Sequence, residues 1–257
     1  MAELPDLEVF AQILSRRFKG KTLKELNVKV AKKLNVTSAE LTKALEGKKL
    51  TAVSRYGKTL HFHFGEQVLQ VHLMLRGELV ALGKGDELPK YVIVAFHFSG
   101  GEGFAVVDML RAATPTLNPE PANAPDALEM DLDYFTAVLA KSKKMVKEVM
   151  MDQKKMRGIG NSYADEILWD ARVSPFSVAS AVPEKAVKKL FKSLGAVLKE
   201  AVSAIAKENG DELRGELRDF MKVHGARIGK SPTGAKVKSE KIGGRTSYYT
   251  DEQEMFS

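Results

Sequence analysis

Met156-Arg157-Gly158-Ile159-Gly160-Asn161-Ser162-Tyr163-Ala164-Asp165-Glu166-Ile167-Leu168-Trp169 is the stretch on which the reading of this chain turns. Two glycines one residue apart let a backbone approach a ligand closely, and Asn161 is a residue type that caps a following helix while its amide reaches outward. A helix start of this kind attracts phosphate through its unpaired N–H groups. Taken alone, the turn reads rather as an ordinary Gly-rich link between helices with an Asn cap. Its neighbourhood tips the balance. Residues 141–158 hold Lys141, Lys143, Lys144, Lys147, Lys154, Lys155 and Arg157 against only Glu148 and Asp152. Residues 222–245 hold Lys222, Arg227, Lys230, Lys236, Lys238, Lys241 and Arg245 against only Glu240. One such cluster is often just a solvated face; two in a chain of net charge +7 favour a polyanion, because each neutralised phosphate releases counterions.

Around this stretch the periodicity is helical. Segments near 131–141, 143–153, 161–171 and 183–208 read as helices, with a shorter one near 211–222. Before them, residues 114–128 carry Pro115, Pro119, Pro121 and Pro125 and no apolar period, which marks a linker. Upstream of the linker the pattern changes to strands. Thr59 to Phe64 alternates, and Val68 to Leu73, Tyr91 to Phe98 and Phe104 to Asp108 are β-rich runs between Gly-containing turns, so residues 22–113 predict a mostly antiparallel sandwich or barrel. Leu7, Phe10, Ala11, Leu14 and Phe18, with Pro5 before and Gly20 after, predict a helix over 5–19 that anchors the N-terminus. Thr37-Ser38-Ala39-Glu40 is a capping box opening a short helix. The tail from Val223 is Gly-rich and basic, then strand-like at Arg245 to Thr250, which predicts a β-hairpin.

The fold class is therefore α+β: an N-terminal helix with an antiparallel β-sandwich, then a helical domain, then a hairpin. No run of eighteen apolar residues suggests a membrane span, and the first twenty residues do not form a signal peptide. The 257 residues include no cysteine, which excludes disulfides, thiolate zinc sites, iron–sulfur clusters and a cysteine nucleophile, and points to an intracellular, cytoplasmic protein. His61 and His63 share a strand face but lack further ligands, so no metal and no cofactor are expected.

Chemistry can start at the extreme N-terminus. Ala2 is small enough for the initiator methionine to be removed, leaving a free α-amine. Such an amine titrates near 8 against about 10.4 for lysine, so its nucleophilic neutral fraction at neutral pH is roughly a hundredfold larger. Glu3 beside it can shuttle protons, although an acidic residue before a helix is more commonly just a favourable first turn.

Five segments in order then carry a resemblance: Ala2-Glu3-Leu4-Pro5-Asp6-Leu7-Glu8, Tyr56-Gly57-Lys58, His72-Leu73-Met74-Leu75-Arg76-Gly77-Glu78-Leu79, the Gly158 to Glu166 block, and Gly244-Arg245-Thr246-Ser247-Tyr248-Tyr249. Together they resemble the formamidopyrimidine-DNA glycosylase/endonuclease VIII family over nearly the whole chain. The Asn161 block, which resembles that family's helix-two-turn-helix, is the most specific part. The resemblance implies a catalytic sandwich domain over 1–113, a linker over 114–130, a helix-two-turn-helix domain over 131–222 and a finger-like hairpin with its tail over 223–257. It implies Ala2 as the nucleophile at the sugar C1′ of an everted nucleotide, Glu3 as proton donor to the sugar ring oxygen and Lys58 as a lysine near the lesion phosphate. It further implies DNA contacts from His72, Leu75 and Arg111, and phosphate clamping by Asn161 and Arg245. Damaged double-stranded DNA is the implied partner of a monomer associated with the nucleoid, and eversion is required because C1′ is unreachable in a stacked duplex.

The chain also departs from the family. Ala2 replaces the usual proline, so its imine must be protonated to act as an electron sink, where a proline iminium is cationic already. The four-cysteine finger is absent, making the hairpin a zincless one. Leu110-Arg111-Ala112 aligns with the usual Arg-Arg-Phe of the gap-filling loop and supplies no aromatic wedge; Leu75 either plugs the stack or belongs to the barrel core. The segment from Arg218 to Val223 is too short for the loop that covers oxidised purines. Three readings follow: a glycosylase with abasic-site lyase activity through the N-terminal amine, a monofunctional glycosylase on atypical or alkylated bases, and a damaged-DNA-binding protein without catalysis.

Overall fold

The computed structural model describes residues 1–213 and 215–257. The chain divides into two compact units, one of residues 1–121 with 205–217, the other of residues 122–204 with 218–257.

The first unit opens with helix α1 (Leu4–Phe18), with a proline in its first turn and Leu7, Phe10, Ala11, Leu14 and Phe18 turned into the core. Strand β1 (Leu23–Val28) and helix α2 (Ser38–Leu45) follow, the latter closed by the expected capping box between Thr37 and Glu40. Strands β2 (Ala52–Tyr56), β3 (Thr59–Phe64), β4 (Gln67–His72), β5 (Glu78–Leu82), β6 (Val92–Phe98), β7 (Gly103–Val107) and β8 (Thr114–Leu117) complete it. They form two four-stranded antiparallel sheets, ordered β1-β6-β7-β5 and β2-β3-β4-β8.

The inner faces meet around an aromatic stack. Phe104 lies 4.5 Å from Phe96, 5.3 Å from Phe62 and 5.5 Å from Phe18, ring centre to ring centre. These are offset or tilted contacts of the kind aromatic pairs prefer, and each ring buries a large apolar area. Arg55 of β2 donates from Nε to Glu8 of α1 at 2.7 Å, tying the helix to the sheet edge.

Two sequence expectations meet a different structure here. The stretch expected as linker from residue 114 opens with β8, which pairs with β4; Pro115 is tolerated because β8 is an edge strand, where a missing N–H costs no ladder bond. The short helix expected over 211–222 does not form among the described residues. Gly210 at φ +57° and Gly215 break the helical run, leaving too few apolar positions to bury a stripe. Instead Leu213 packs on the sandwich core, while Arg16 of α1 holds the carbonyl of Gly210 at 3.2 Å and Asp211 at 2.9 Å.

The second unit contains α3 (Leu132–Ala140), capped by Asp131, then α4 (Val146–Met151), α5 (Asn161–Ala171) and most of α6 (Glu184–Asn209), whose last turn counts with the first unit. Strands β9 (Lys238–Ile242) and β10 (Arg245–Tyr249) form the hairpin, which belongs to the same compact unit as the helices. Its two-residue turn, Gly243-Gly244, has φ of +54° and +77°, a pair of left-handed conformations that glycine adopts without strain and that matches the twist of a hairpin.

Candidate active site and candidate nucleic-acid interface

The first unit builds its site at the start of α1. Glu3 is the N-cap, in extended conformation; its N–H donates to Asp6 Oδ2 at 2.8 Å and its carbonyl accepts the N–H of Leu7 at 3.2 Å. Both carboxylates are buried, Glu3 at 2% and Asp6 at 0% exposure. Ala2 is buried against the sandwich core and lines a cavity of about 630 Å³, whose walls include Arg76, Glu78, Tyr91, Asp108, Met109 and Glu216. Met1 stands at this cavity, its α-ammonium ion-paired with the carboxylate of Glu216.

Lys58 sits in the tight Gly57-Lys58 turn between β2 and β3 and is only 8% exposed. His72 ends β4, and its Nδ1 accepts the N–H of Met74 at 2.8 Å. That bond holds a turn in which Met74 adopts φ +58° and Leu75 projects with 61% of its surface exposed. Leu75 is thus no core residue, and it lines the same cavity as Ala2. Arg111, at φ +51°, lies on the β7–β8 loop and lines a neighbouring groove with Lys29 and Pro89; Tyr91 borders both spaces.

That loop is held by one buried carboxylate. Asp108 Oδ1 accepts from Leu110 N–H at 2.9 Å, and Oδ2 accepts from Ala112 and Ala113 at 2.7 and 2.8 Å. The tip so fixed presents Met109 and Leu110 to solvent, an aliphatic pair in place of an aromatic one. His61 and His63 are occupied with neighbouring hydroxyls, Thr59 at 3.0 Å and Ser54 at 2.9 Å. Burial pushes the His63 imidazole below its ordinary range.

The second unit brings Asn161 and the Arg245 strand together. Gly160 takes the extended backbone of the N-cap, so Asn161 is the first helical residue rather than the cap the sequence suggested. Freed from capping, its Nδ2 donates to the carbonyl of Thr246 at 2.9 Å, next in chain to the exposed Arg245. Gly158, at φ +109°, gives the preceding turn its sharpness.

Sequence reasoning passed over the residues that organise this region. Glu166, buried on α5, accepts three successive backbone N–H groups, from Lys222 at 2.9 Å and from Val223 and His224 at 2.8 Å each. Asp165, also buried, pairs with the equally buried Lys147 at 2.6 Å and with His224 Nδ1 at 2.7 Å. At the hairpin root, Glu252 Oε2 accepts from Thr233 at 2.8 Å, Thr250 at 3.1 Å and, at 3.4 Å, from Trp169 Nε1. The hydroxyl of Thr233 followed by that of Thr250 holds this carboxyl below the usual range. Charged residues inside a stretch otherwise as buried as Tyr163 to Trp169 were the one available signal, since a buried charge must be paired.

Residues 1–114 match the formamidopyrimidine-DNA glycosylase N-terminal domain, and residues 117–210 match the formamidopyrimidine-DNA glycosylase H2TH domain. The formamidopyrimidine-DNA glycosylase of Carboxydothermus hydrogenoformans is 34% identical over 212 residues, covering 77% of this chain and 76% of its own.

The chain belongs to the formamidopyrimidine-DNA glycosylase family.

The formamidopyrimidine-DNA glycosylase of Lactobacillus gasseri is a further relative, 29% identical over 245 residues, or 87% of this chain and 86% of its own. The fold is that of the Lactococcus lactis Fpg protein solved with DNA containing an abasic site, at a TM-score of 0.88 and 23% identity, covering 98% of this chain and 100% of that one. The two family matches together span residues 1–114 and 117–210, and the hairpin lies beyond them. Among the described residues, no helix is long and apolar enough to cross a membrane.

Proposed function

We propose that this family member, a DNA N-glycosylase of base-excision repair with abasic-site lyase activity, works through the α-amine that Ala2 exposes once Met1 is removed. The observation that carries the reading is the burial of Ala2 and Glu3 together at the start of α1, with Ala2 on the wall of a cavity large enough for an everted nucleotide. The amine attacks C1′; the N–C1′ bond forms as the glycosidic bond breaks, and the electron pair leaves with the damaged base. The amine gives up one proton, which the departing base takes up; Glu3 then protonates the sugar ring oxygen as the C1′–O bond breaks and the ring opens, leaving a protonated imine. Because Ala2 is a primary amine, that imine can shed its N–H proton, and only the protonated form draws electrons from C2′ for elimination.

Lys58, His72 and Arg111 contact the DNA strand near the lesion, and Leu75 fills the gap left by eversion, aided by Met109 and Leu110. Their exposed, apolar and rigidly held tips favour a wedge that stacks without hydrogen-bonding. Asn161 and Arg245 clamp phosphates. Damaged duplex DNA is the substrate, a monomer the working form, and nucleoid DNA in the cytoplasm the place of action.

The test is mass spectrometry of the purified protein's N-terminus followed by borohydride trapping on a duplex bearing an abasic site. A covalent adduct mapping to Ala2 is expected; no adduct from protein shown to lack Met1 overturns the assignment. The ion pair between Met1 and Glu216 favours a second reading for molecules that retain Met1: they bind damaged DNA without forming the Schiff base.

A further inference from the structure

Three consecutive residues of β10 are each gripped by a different polar group. The Thr246 carbonyl accepts from Asn161 at 2.9 Å, Ser247 Oγ accepts from Lys147 Nζ at 2.6 Å, and the Tyr248 N–H donates to Asp165 Oδ2 at 2.9 Å. Lys147, Asp165 and Ser247 are fully buried. The phosphate-clamp reading leaves this network unexplained, and so does stability. Removing two charges from water is costly, and apolar side chains of similar volume in such places are often as stabilising or more so. What directional polar bonds supply and apolar packing does not is register. A strand displaced by two residues presents the same face and the same alternation, so apolar contact alone discriminates poorly between the two alignments. One bond per residue along β10 forbids the slip.

Resting on the clamp reading, we infer that Asp165, with Lys147 as its partner, is a positioning residue. It fixes the register of β10 along α5 and thereby the spacing between the Asn161 amide and the Arg245 guanidinium. The ligand class this suits is a pair of neighbouring phosphates on one nucleic-acid strand. His224, at 2.7 Å from Asp165 and edge-on to Tyr248 at 5.0 Å, belongs to the same device.

The experiment compares the parent protein with four variants: R245A, S247A, the apolar triple variant K147M/D165L/H224F, and that triple variant combined with R245A. Thermal midpoint is read alongside affinity for a duplex carrying a tetrahydrofuran abasic analogue, across a salt series. The triple variant is expected to melt close to the parent yet bind at least tenfold more weakly. Its log affinity against log salt should be shallower by about one phosphate contact, matching R245A. Adding R245A to it should cost little more, because the guanidinium is already out of place. S247A, which removes one grip and leaves one bond of the buried Lys147 unmade, should show a smaller loss of the same kind with a modestly lower midpoint. Parental affinity and salt slope in the triple variant, or fully additive losses with R245A, would overturn the inference. If the triple variant fails to fold, the S247A result decides it: parental binding there overturns it. Parental binding by R245A itself instead defeats the clamp reading on which the inference stands.

Discussion

The N-terminal site and the hairpin are held in place by opposite means. Ala2 and Glu3 lean on a sandwich core whose centre is a cluster of phenylalanines, and α1 carries five apolar side chains into it. The hairpin has no such core: in β9 only Ile242 is buried, and in β10 only Ser247. Its position is set by polar bonds, from Asp165, Lys147 and Asn161 to β10 and from Glu252 at its own root, while Glu166 holds the segment 222–224 that leads to it. Bond-making chemistry needs a nucleophile fixed to fractions of an ångström, and close apolar packing provides that stiffness. A hairpin too small to bury apolar surface needs directional bonds, each of which is costly if left half-made.

The sharpest way to break this contrast is at Glu3. Exchanging Glu3→Gln keeps size and burial while removing the proton donor, and general acid–base groups contribute typically ~10²–10⁴-fold to rate. Single-turnover base release should fall by that order while the thermal midpoint stays near the parent. A loss of stability as large as the loss of rate would mean Glu3 is only the cap of α1. Phe104→Ala tests the scaffold instead. It removes the ring shared by Phe18, Phe62, Phe96 and Phe98, and denaturant unfolding should show a loss of about 3–5 kcal/mol. A loss near ~1 kcal/mol would show that the site does not depend on that stack.

The same contrast explains what the sequence revealed. Apolar period made α1 legible to within a residue and alternation made β3 legible, because burial of a stripe or a face leaves a periodic trace, while β4, β6 and β7 showed as β-rich runs between Gly-containing turns. The hairpin was expected from a Gly-rich tail that turns strand-like at Arg245, and the structure puts Gly243-Gly244 at its turn. The polar devices left no trace of that kind. Nothing local to Asp108 says that its carboxylate will collect three N–H groups of the following loop, and nothing near Asp165 points to Lys147 or to Tyr248, 83 residues away. The helix expected near 211–222 failed for a related reason: Asp211 is attached to α1 through Arg16, which no period predicts. Ala2 and Glu3 could be read from the residues as a nucleophilic amine beside a proton shuttle, but until the resemblance nothing separated that reading from an ordinary helix start.

A smaller effect separates the hairpin root from the sandwich by pH. Glu252 is held below the usual carboxylate range first by the Thr233 hydroxyl, and then by Thr250 and Trp169. A carboxyl depressed in the folded state stabilises above its unfolded value, near ~4.3, and loses that contribution as pH falls through the folded value. Melting at pH 7 and at about pH 3.5 should therefore show a larger acid-induced drop for the parent than for Glu252→Gln, which has no charge to lose. Equal drops would show that the hydroxyl cluster does not depend on the carboxylate.

The least effect lies at the hairpin's outer edge and has the opposite sign. Tyr249 donates its phenolic O–H to Glu240 across the β9–β10 pair, and this bond, with burial second, pushes its pKa up to about 12. The folded state holds the proton more tightly than the unfolded one, whose tyrosine titrates near ~10. The stabilisation is therefore complete below that value and is lost as pH rises toward 12. Phenolate absorbance should show one of the six tyrosines ionising about two pH units later than an unperturbed phenol, and Tyr249→Phe should delete that late step alone. A late step that survives the substitution would place it on another tyrosine. No late step in the parent would mean that Glu240 and Tyr249 are not joined in solution. The hairpin's outer edge would then rest on its backbone ladder, and the polar bonds that matter would be confined to the face that meets α5.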